Sequence, residues 1–469
     1  MTSKLAVNEA ALAKLEAARI AREKTTEELL TAPIKPTLIR LSAPNMLAML
    51  ISTITTIAEA IYAAKMGENA LASLALVFPL FMFMHMLAAG AIGGAVASSV
   101  ARALGAGNID RADRFIPHAL IIASVMAFLL AVLNAAYGSA FFSLLGGKGE
   151  VLAGAVEYAA VFFPGCIAIW LCHVLLSIIR GTGEMKMPSI VLVGISLGAL
   201  PLLGALSLGW GPFPAMGMAG LALAPVAVSA IGGIVSIIYL ASGKTGLSLR
   251  HMFSGLKVAL FMDILRVGLV SCFGTMMTIT STIAVTGFVG QFGKDALAGF
   301  GLGTRLEFIL LPLVFGVGAA LTSMVGANIG GGNRERALLI TWTGGIGVAI
   351  FFGVIGLVLA LFPGIWLGLF LRPDQSEIWA AGAAYFHIVA PAYGFLVLGL
   401  SLSFASQGAG KVILPVTAAT LRTILVLTTA YYMVSAFNAG VEGVFYAISA
   451  GMIIFGLLIT ASVKFTGWK

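Results

Sequence analysis

Few side chains in this sequence can do chemistry, and those that can sit inside long apolar runs. Glu59 lies within Leu50 to Tyr62, six positions before Lys65. A carboxyl group at that depth costs roughly 2.5 to 3.5 kcal/mol on insertion scales and usually faces a cavity or relay. Its chemistry would be to take up and release a proton or cation. The alternative is a structural acid, hydrogen-bonded or paired with Lys65, although residues six apart share a helix face poorly. Glu307 lies in another such run with Arg305 two positions away, a spacing that keeps the two from pairing along one face. It has two readings: a second site for a coupling ion or substrate charge, or a buried ion pair that fixes helix packing. Arg422, His173 and His387 are further candidates for a polar cavity, each within reach of an interface or a backbone carbonyl. Met276, Met277, Phe78, Phe81 and Phe83 offer soft and aromatic surface to a flat organic cation, and equally serve ordinary packing.

The elements that must position these groups are membrane helices. The chain has 469 residues, 60% hydrophobic and 10% charged, with a mean hydropathy of +1.05. A spanning helix needs roughly 20 largely apolar residues. Such runs recur at about 38–64, 70–100, 115–138, 152–178, 188–208 and 217–241, then at about 262–289, 296–326, 337–362, 377–404, 412–434 and 440–463. The loops between them leave no room for a soluble domain. The 57 glycines suit helices packed backbone to backbone, and runs such as Val348 to Phe362 lack the alternation of a barrel strand. The expected fold is an all-α membrane protein of about twelve transmembrane helices in two six-helix lobes. Residues 1–36 read as a cytoplasmic helical extension, 37–241 as the first lobe, 242–261 as a linker and 262–469 as the second lobe with a short tail.

Of the 27 Lys and Arg, Lys65, Lys148, Lys294 and Arg372 fall on one side and Arg305 and Arg422 inside spans; the remaining 21 share the side of both termini. The positive-inside rule makes that side cytoplasmic, and the formal charge of +8 then reflects orientation rather than nucleic-acid binding. Cys166, Cys172 and Cys272 lie in apolar segments without metal or disulfide spacing. No cleaved signal peptide is expected.

Self-comparison reveals a repeat. Met66-Gly67-Glu68-Asn69-Ala70-Leu71-Ala72 returns as Phe292-Gly293-Lys294-Asp295-Ala296-Leu297-Ala298, a shift of 226. Gly105-Ala106-Gly107-Asn108 returns as Gly330-Gly331-Gly332-Asn333 at 225, and Arg180-Gly181-Thr182-Gly183 with Pro188 as Gln407-Gly408-Ala409-Gly410 with Pro415 at 227. Each half holds an even number of spans, so the halves are related by an axis along the membrane normal, as in some transporters, with substrate between them. The glycine loops follow no strand and lack a Gly-Lys-Ser/Thr ending, so they are not phosphate cradles. They read as tight turns in which Gly and Asn adopt positive φ.

On these residues the sequence resembles the multidrug and toxic compound extrusion (MATE) family over about residues 36–464. The resemblance rests on Pro44 at the opening of the first span, an acid eight residues before Gly67, and the Gly-Ala-Gly-Asn loop. It rests also on Arg180-Gly181-Thr182-Gly183-Glu184 with Pro188, and on Arg305-Leu306-Glu307 with Val325-Gly326-Ala327-Asn328-Ile329-Gly330. It implies a V-shaped pair of lobes that expels organic cations in exchange for protons or sodium ions, with Glu59 in place of the family's usual aspartate. The chain departs from the family at Ala199 and Leu203, where members often carry Asn or Asp, and at Thr278 and about Leu396, where another branch carries acids. With so few carboxylates the expectation is proton coupling, with sodium as the alternative. The expected protein is a monomer of the cell inner membrane, without cofactor or resident metal, taking a small organic cation. A lipid-linked sugar flippase of the related superfamily is the rival within transport. An intramembrane enzyme would need paired catalytic groups, and a channel a filter-like repeat; neither pattern is present in the sequence.

Overall fold

The computed structural model describes residues 20, 23–252, 255–372 and 375–468. The polar stretch up to residue 22 that the sequence marks as a helical extension lies, apart from residue 20, outside the described residues. Apolar runs flanked by glycine and charge form helices because, without water, every backbone N–H and C=O must find its partner within the segment. Among the described residues twelve helices are long and apolar enough to cross a membrane: α1 (Ile34–Met66), α2 (Glu68–Gly105), α3 (Ile109–Leu144), α4 (Gly149–Gly181), α5 (Lys186–Leu208) and α6 (Gly217–Ala241), then α7 (Val258–Gly290), α8 (Lys294–Gly330), α9 (Arg334–Leu361), α10 (Ser376–Gly408), α11 (Ile413–Ser435) and α12 (Gly440–Thr466). Side chains such as Leu129 and Leu133 of α3 and Ile350, Val354 and Leu357 of α9 are exposed, an apolar exterior that suits lipid.

The helices extend one to six residues beyond most of the hydropathy-derived ends, since helix geometry continues past the apolar window. Pro44 lies inside α1 rather than opening it. The linker is also shorter than expected, with α7 already begun at Val258 after a single 3-10 turn at Leu249–His251. Two helices are irregular. In α2 a π-helical turn spans Met86–Ile92, directly after His85. In α10 a 3-10 turn at Ala390–Ala392 carries Pro391, whose counterpart 227 positions earlier is Pro164, inside the continuous α4.

Two large hydrophobic cores result, with two small clusters beside them. One is built around α4, with Tyr158, Phe162, Phe163 and Trp170, and takes in Leu260, Ile264 and Val267 of α7. The other joins Leu321, Tyr385, Phe386 and Phe445 and takes in Leu38 and Leu41 of α1. Each half therefore lends the start of its first helix to the other half's core. This exchange and the contacts between α2 and α8 tie the halves together at the end that carries both termini, here called the terminal side.

The seam follows the repeat. A Cβ on Gly105 would collide with the Ala327 carbonyl oxygen, and one on Gly330 with that of Arg102. The Ser98 hydroxyl donates to the Gln407 carbonyl at 2.6 Å, and the Ser323 hydroxyl to the Arg180 carbonyl at 2.8 Å. Gly181 stands against Ala97 O and Gly408 against Thr322 O. Each pair repeats the other at the offsets read from the sequence. The turn expectation holds for Gly107 and Gly332, which have positive φ, but not for Gly105 and Gly330, which are the last residues of α2 and α8, nor for Gly331, with φ of −76°. It fails for the asparagines. Asn108 and Asn333 have φ of −94° and −86° and precede the first turns of the helices that follow; the Asn108 side-chain Oδ1 accepts from the Arg111 N–H at 3.0 Å, the ordinary use of Asn at this position, whereas Asn333 makes no such side-chain bond.

Candidate functional site

Glu59 is only 7% exposed. Its carboxylate accepts a hydrogen bond of 2.8 Å from the Tyr158 hydroxyl of α4. It is not paired with Lys65, whose ammonium lies 5.6 Å from the centre of the Tyr62 ring and 6.0 Å from that of Trp210. Glu59 and Tyr158 border a cavity of about 270 Å³ between α1, α2 and α4. Leu71, Leu74, Phe78 and Phe81 supply its apolar wall, and Thr56 its remaining side-chain oxygen. An acid within an aromatic and aliphatic wall can hold a proton or bind a flat, delocalised cation.

Beyond Phe81 the wall continues into histidine. The Phe81 and His85 rings are 4.3 Å apart, and both contact Phe162. The His85 ring meets His173 edge-on at 5.6 Å, and the His173 Nδ1 is buried without a hydrogen-bond partner. Of this cluster the sequence reading singled out His173 and Phe81; it missed His85 and Tyr158. His85 needed knowledge of which face of α2 meets α4. Tyr158 did carry a signal, because it aligns with Tyr385 at the 227 offset that relates Arg180 to Gln407.

Glu307 forms the second acid-tyrosine pair. The Tyr385 hydroxyl donates to its carboxylate, and Arg422 of α11 is its cationic neighbour. The Arg422 guanidinium also lies 5.6 Å from the centre of the Phe455 ring. The space beside Glu307, bordered by Tyr393 and Leu396, is about 10 Å³, room for one water at most. The two tyrosines are repeat equivalents, but their acids come from non-equivalent helices, α1 and α8.

Three candidates sit elsewhere. Arg305 is exposed and borders neither cavity, being two residues from Glu307 and so turned to another face of α8. His387 is exposed too, its Nδ1 hydrogen-bonded to the Ala360 carbonyl at 2.6 Å. The Thr278 hydroxyl donates to Gly274 O in its own helix, and Thr278 borders neither cavity. Among the described residues no cluster of three His, Cys, Asp or Glu could hold a metal ion.

Arg422→Met should strand the Glu307 charge. Arg422 acts on Glu307 as a charge at a distance rather than as a contact partner, so its loss should cost less than the roughly 3 to 5 kcal/mol of a broken buried pair. The expected result is a modestly lowered Tm in detergent for the single variant and near recovery for Arg422→Met with Glu307→Gln. Transport retained in the stable double variant would assign the pair to packing; transport lost would assign it to the cycle.

Twelve spanning helices, an internal repeat across a shared seam and a buried acid in an apolar cavity define a multi-pass membrane transporter. The MatE family model matches residues 44–203 and 271–432, one stretch in each half. The chain belongs to that family, whose members are transporters and not enzymes. It is 24% identical over 423 residues to a probable multidrug resistance protein NorM of Thermotoga maritima, covering 90% of each chain. It is 25% identical over 389 residues to a protein of Shewanella oneidensis named FAD transporter, covering 82% of this chain and 84% of that one. A solved MOP superfamily transporter from Pyrococcus furiosus shares the fold, with a TM-score of 0.86 at 24% identity over 94% of this chain and 97% of that chain.

Proposed function

We propose that this transporter is an antiporter that exports organic cations in exchange for protons, with Glu59 as the group the two compete for. The observation that carries this reading is the Glu59–Tyr158 pair at the wall of the 270 Å³ cavity. A bound cation replaces the acidic proton, and a returning proton displaces the cation. Sodium coupling is disfavoured because selective ion sites replace a hydration shell with several oxygens, and Thr56, Glu59 and Tyr158 supply the only side-chain oxygens of the cavity lining. The terminal side, with 21 of 27 Lys and Arg, is cytoplasmic in this reading, and the protein works as a monomer in the inner membrane.

A second reading follows from the Shewanella oneidensis relative named FAD transporter. Phe78, Phe81 and Tyr158 would also suit the flat ring of a flavin, but Glu59 would repel its pyrophosphate, so the cation is preferred. Purified protein in liposomes tests both. A fluorescent organic cation should be moved by an imposed pH gradient and not by a sodium gradient. Sodium-driven flux would reverse the ion assignment, and flux of FAD without flux of the cation would favour the second substrate.

A further inference from the structure

Residues 23–31 form a helix ahead of α1. The sequence reads this part of the chain as a soluble extension, yet the described portion is docked against the bundle. Leu29 is 3% exposed and packs in a core that includes Met185 of the first half and Met324 and Val325 of the second.

The site it occupies is the seam. On the first half, Leu29 and Thr25 lie against Gly183: a Cβ there would come within 2.8 Å of Leu29 Cδ1 and 3.2 Å of Thr25 Cγ2. On the second half, the buried Asn328 side chain donates to the Leu29 carbonyl at 2.9 Å. Leu30 covers Gly331, where a Cβ would lie 3.2 Å from its Cδ2 and 3.1 Å from the Gly105 carbonyl oxygen. Arg336 donates to the Ala32 carbonyl, and Glu28 pairs with Arg40 of α1 at 2.6 Å. The helix therefore joins the α4–α5 turn to the α8–α9 turn, where α2 and α8 cross.

The repeat shows that this contact is additional to the basic fold. Shifted by 226 positions, residues 23–31 correspond to 249–257 in the linker. The linker docks on the first half, with Ser248 N–H donating to Asp113 at 2.8 Å and Lys257 N–H to His118 at 2.9 Å. The corresponding contact of the N-terminal helix is that of Ala32 with Arg336 of α9, the repeat equivalent of α3. Its hold on Gly183 reaches into the other half.

We propose that helix 23–31 is a strap that stabilises the state closed on the terminal side, with Leu29 as its pin. Parting of the halves there pulls Gly183 away from Asn328, so Leu29 must leave one of them and lose its burial. The strap biases the conformational equilibrium without touching the substrate cavity. This rests on the reading that the halves part at this end during transport.

Spin labels at Lys186→Cys and Glu335→Cys, exposed residues beginning α5 and α9, report the separation of the halves. In otherwise unaltered protein, two distance populations are expected, the closed one dominant. Leu29→Ala should raise the open-to-closed ratio by about thirtyfold or more, the lower end of the scale of a truncated buried leucine, and Leu29→Asp should raise it further. Lys24→Ala, on the exposed side of the same helix, should leave it unchanged, and Tm identifies any variant that misfolds. Two populations that shift with substrate but not with folded Leu29 variants would overturn the strap. A single unchanging distance under every ion gradient and substrate would overturn the parting of the halves instead.

Discussion

Replacing Glu59 by glutamine should reduce gradient-driven flux by at least about a hundredfold, the lower end of what a positioned proton carrier contributes, while the protein stays folded. The amide has the shape of the acid, and its oxygen can still accept from Tyr158, so the contact that closes the cavity wall survives. What is lost is the capacity to carry a proton and to offer a negative charge. Glu59→Asp keeps the charge but withdraws it by one methylene from the Tyr158 hydroxyl, which stands 2.8 Å away. It should lose about tenfold in transport, since a lost hydrogen bond to a charged group costs about 1.5 kcal/mol at the low end of its range. Flux in reconstituted liposomes reads both variants. Undiminished pH-driven flux in Glu59→Gln would remove this acid from the coupling step and leave Glu307 as the remaining buried candidate.

The second large effect is expected at the seam. Gly105→Ala or Gly330→Ala sets a methyl group onto the carbonyl oxygen of Ala327 or Arg102, and because both partners are backbone, α2 and α8 must separate. Overpacking of this kind costs about 1 to 3 kcal/mol, equivalent to a roughly 5- to 150-fold shift between two states. In the proposed transport cycle the contact forms when the terminal side closes, so closure should be disfavoured while each half remains intact. The two variants should share one phenotype, an enlarged open population by spin-label distance and slowed transport. Gly194→Ala, where an added Cβ meets nothing within 4 Å, should match the parent. Normal transport in both seam variants would show that the crossing yields at little cost.

The twelve spans and the repeat were legible because hydropathy and glycine motifs act locally: an apolar run of span length becomes a helix whatever its neighbours are. The cavity acid was legible for a related reason, since a lone carboxylate in such a run is costly and stands out. Its partners were not. Tyr158 is 99 positions from Glu59, and Arg422 is brought into the neighbourhood of Glu307 from a different helix, so both relations depend on packing. Arg305 and His387 show the opposite error, because depth in a span does not say which side of the helix a residue occupies. The π-helical turn beside His85 has no local signature, since it arises where α2 is packed against its neighbours.

The exchange of first helices between the two cores has a mechanical consequence. The start of α1 is anchored in the second core through Leu38 and Leu41, and its far end in the first through Ala63, with Tyr62 and Met66 packed alongside. Glu59 lies on the far portion, within the same rod. Any reorientation of α1 that follows discharge or loading of this acid is therefore applied directly to the opposite half, with Pro44 between the two anchorages as the place where the rod can bend. No chain of intermediaries is required: the buried acid and the interlocking region are two ends of one lever.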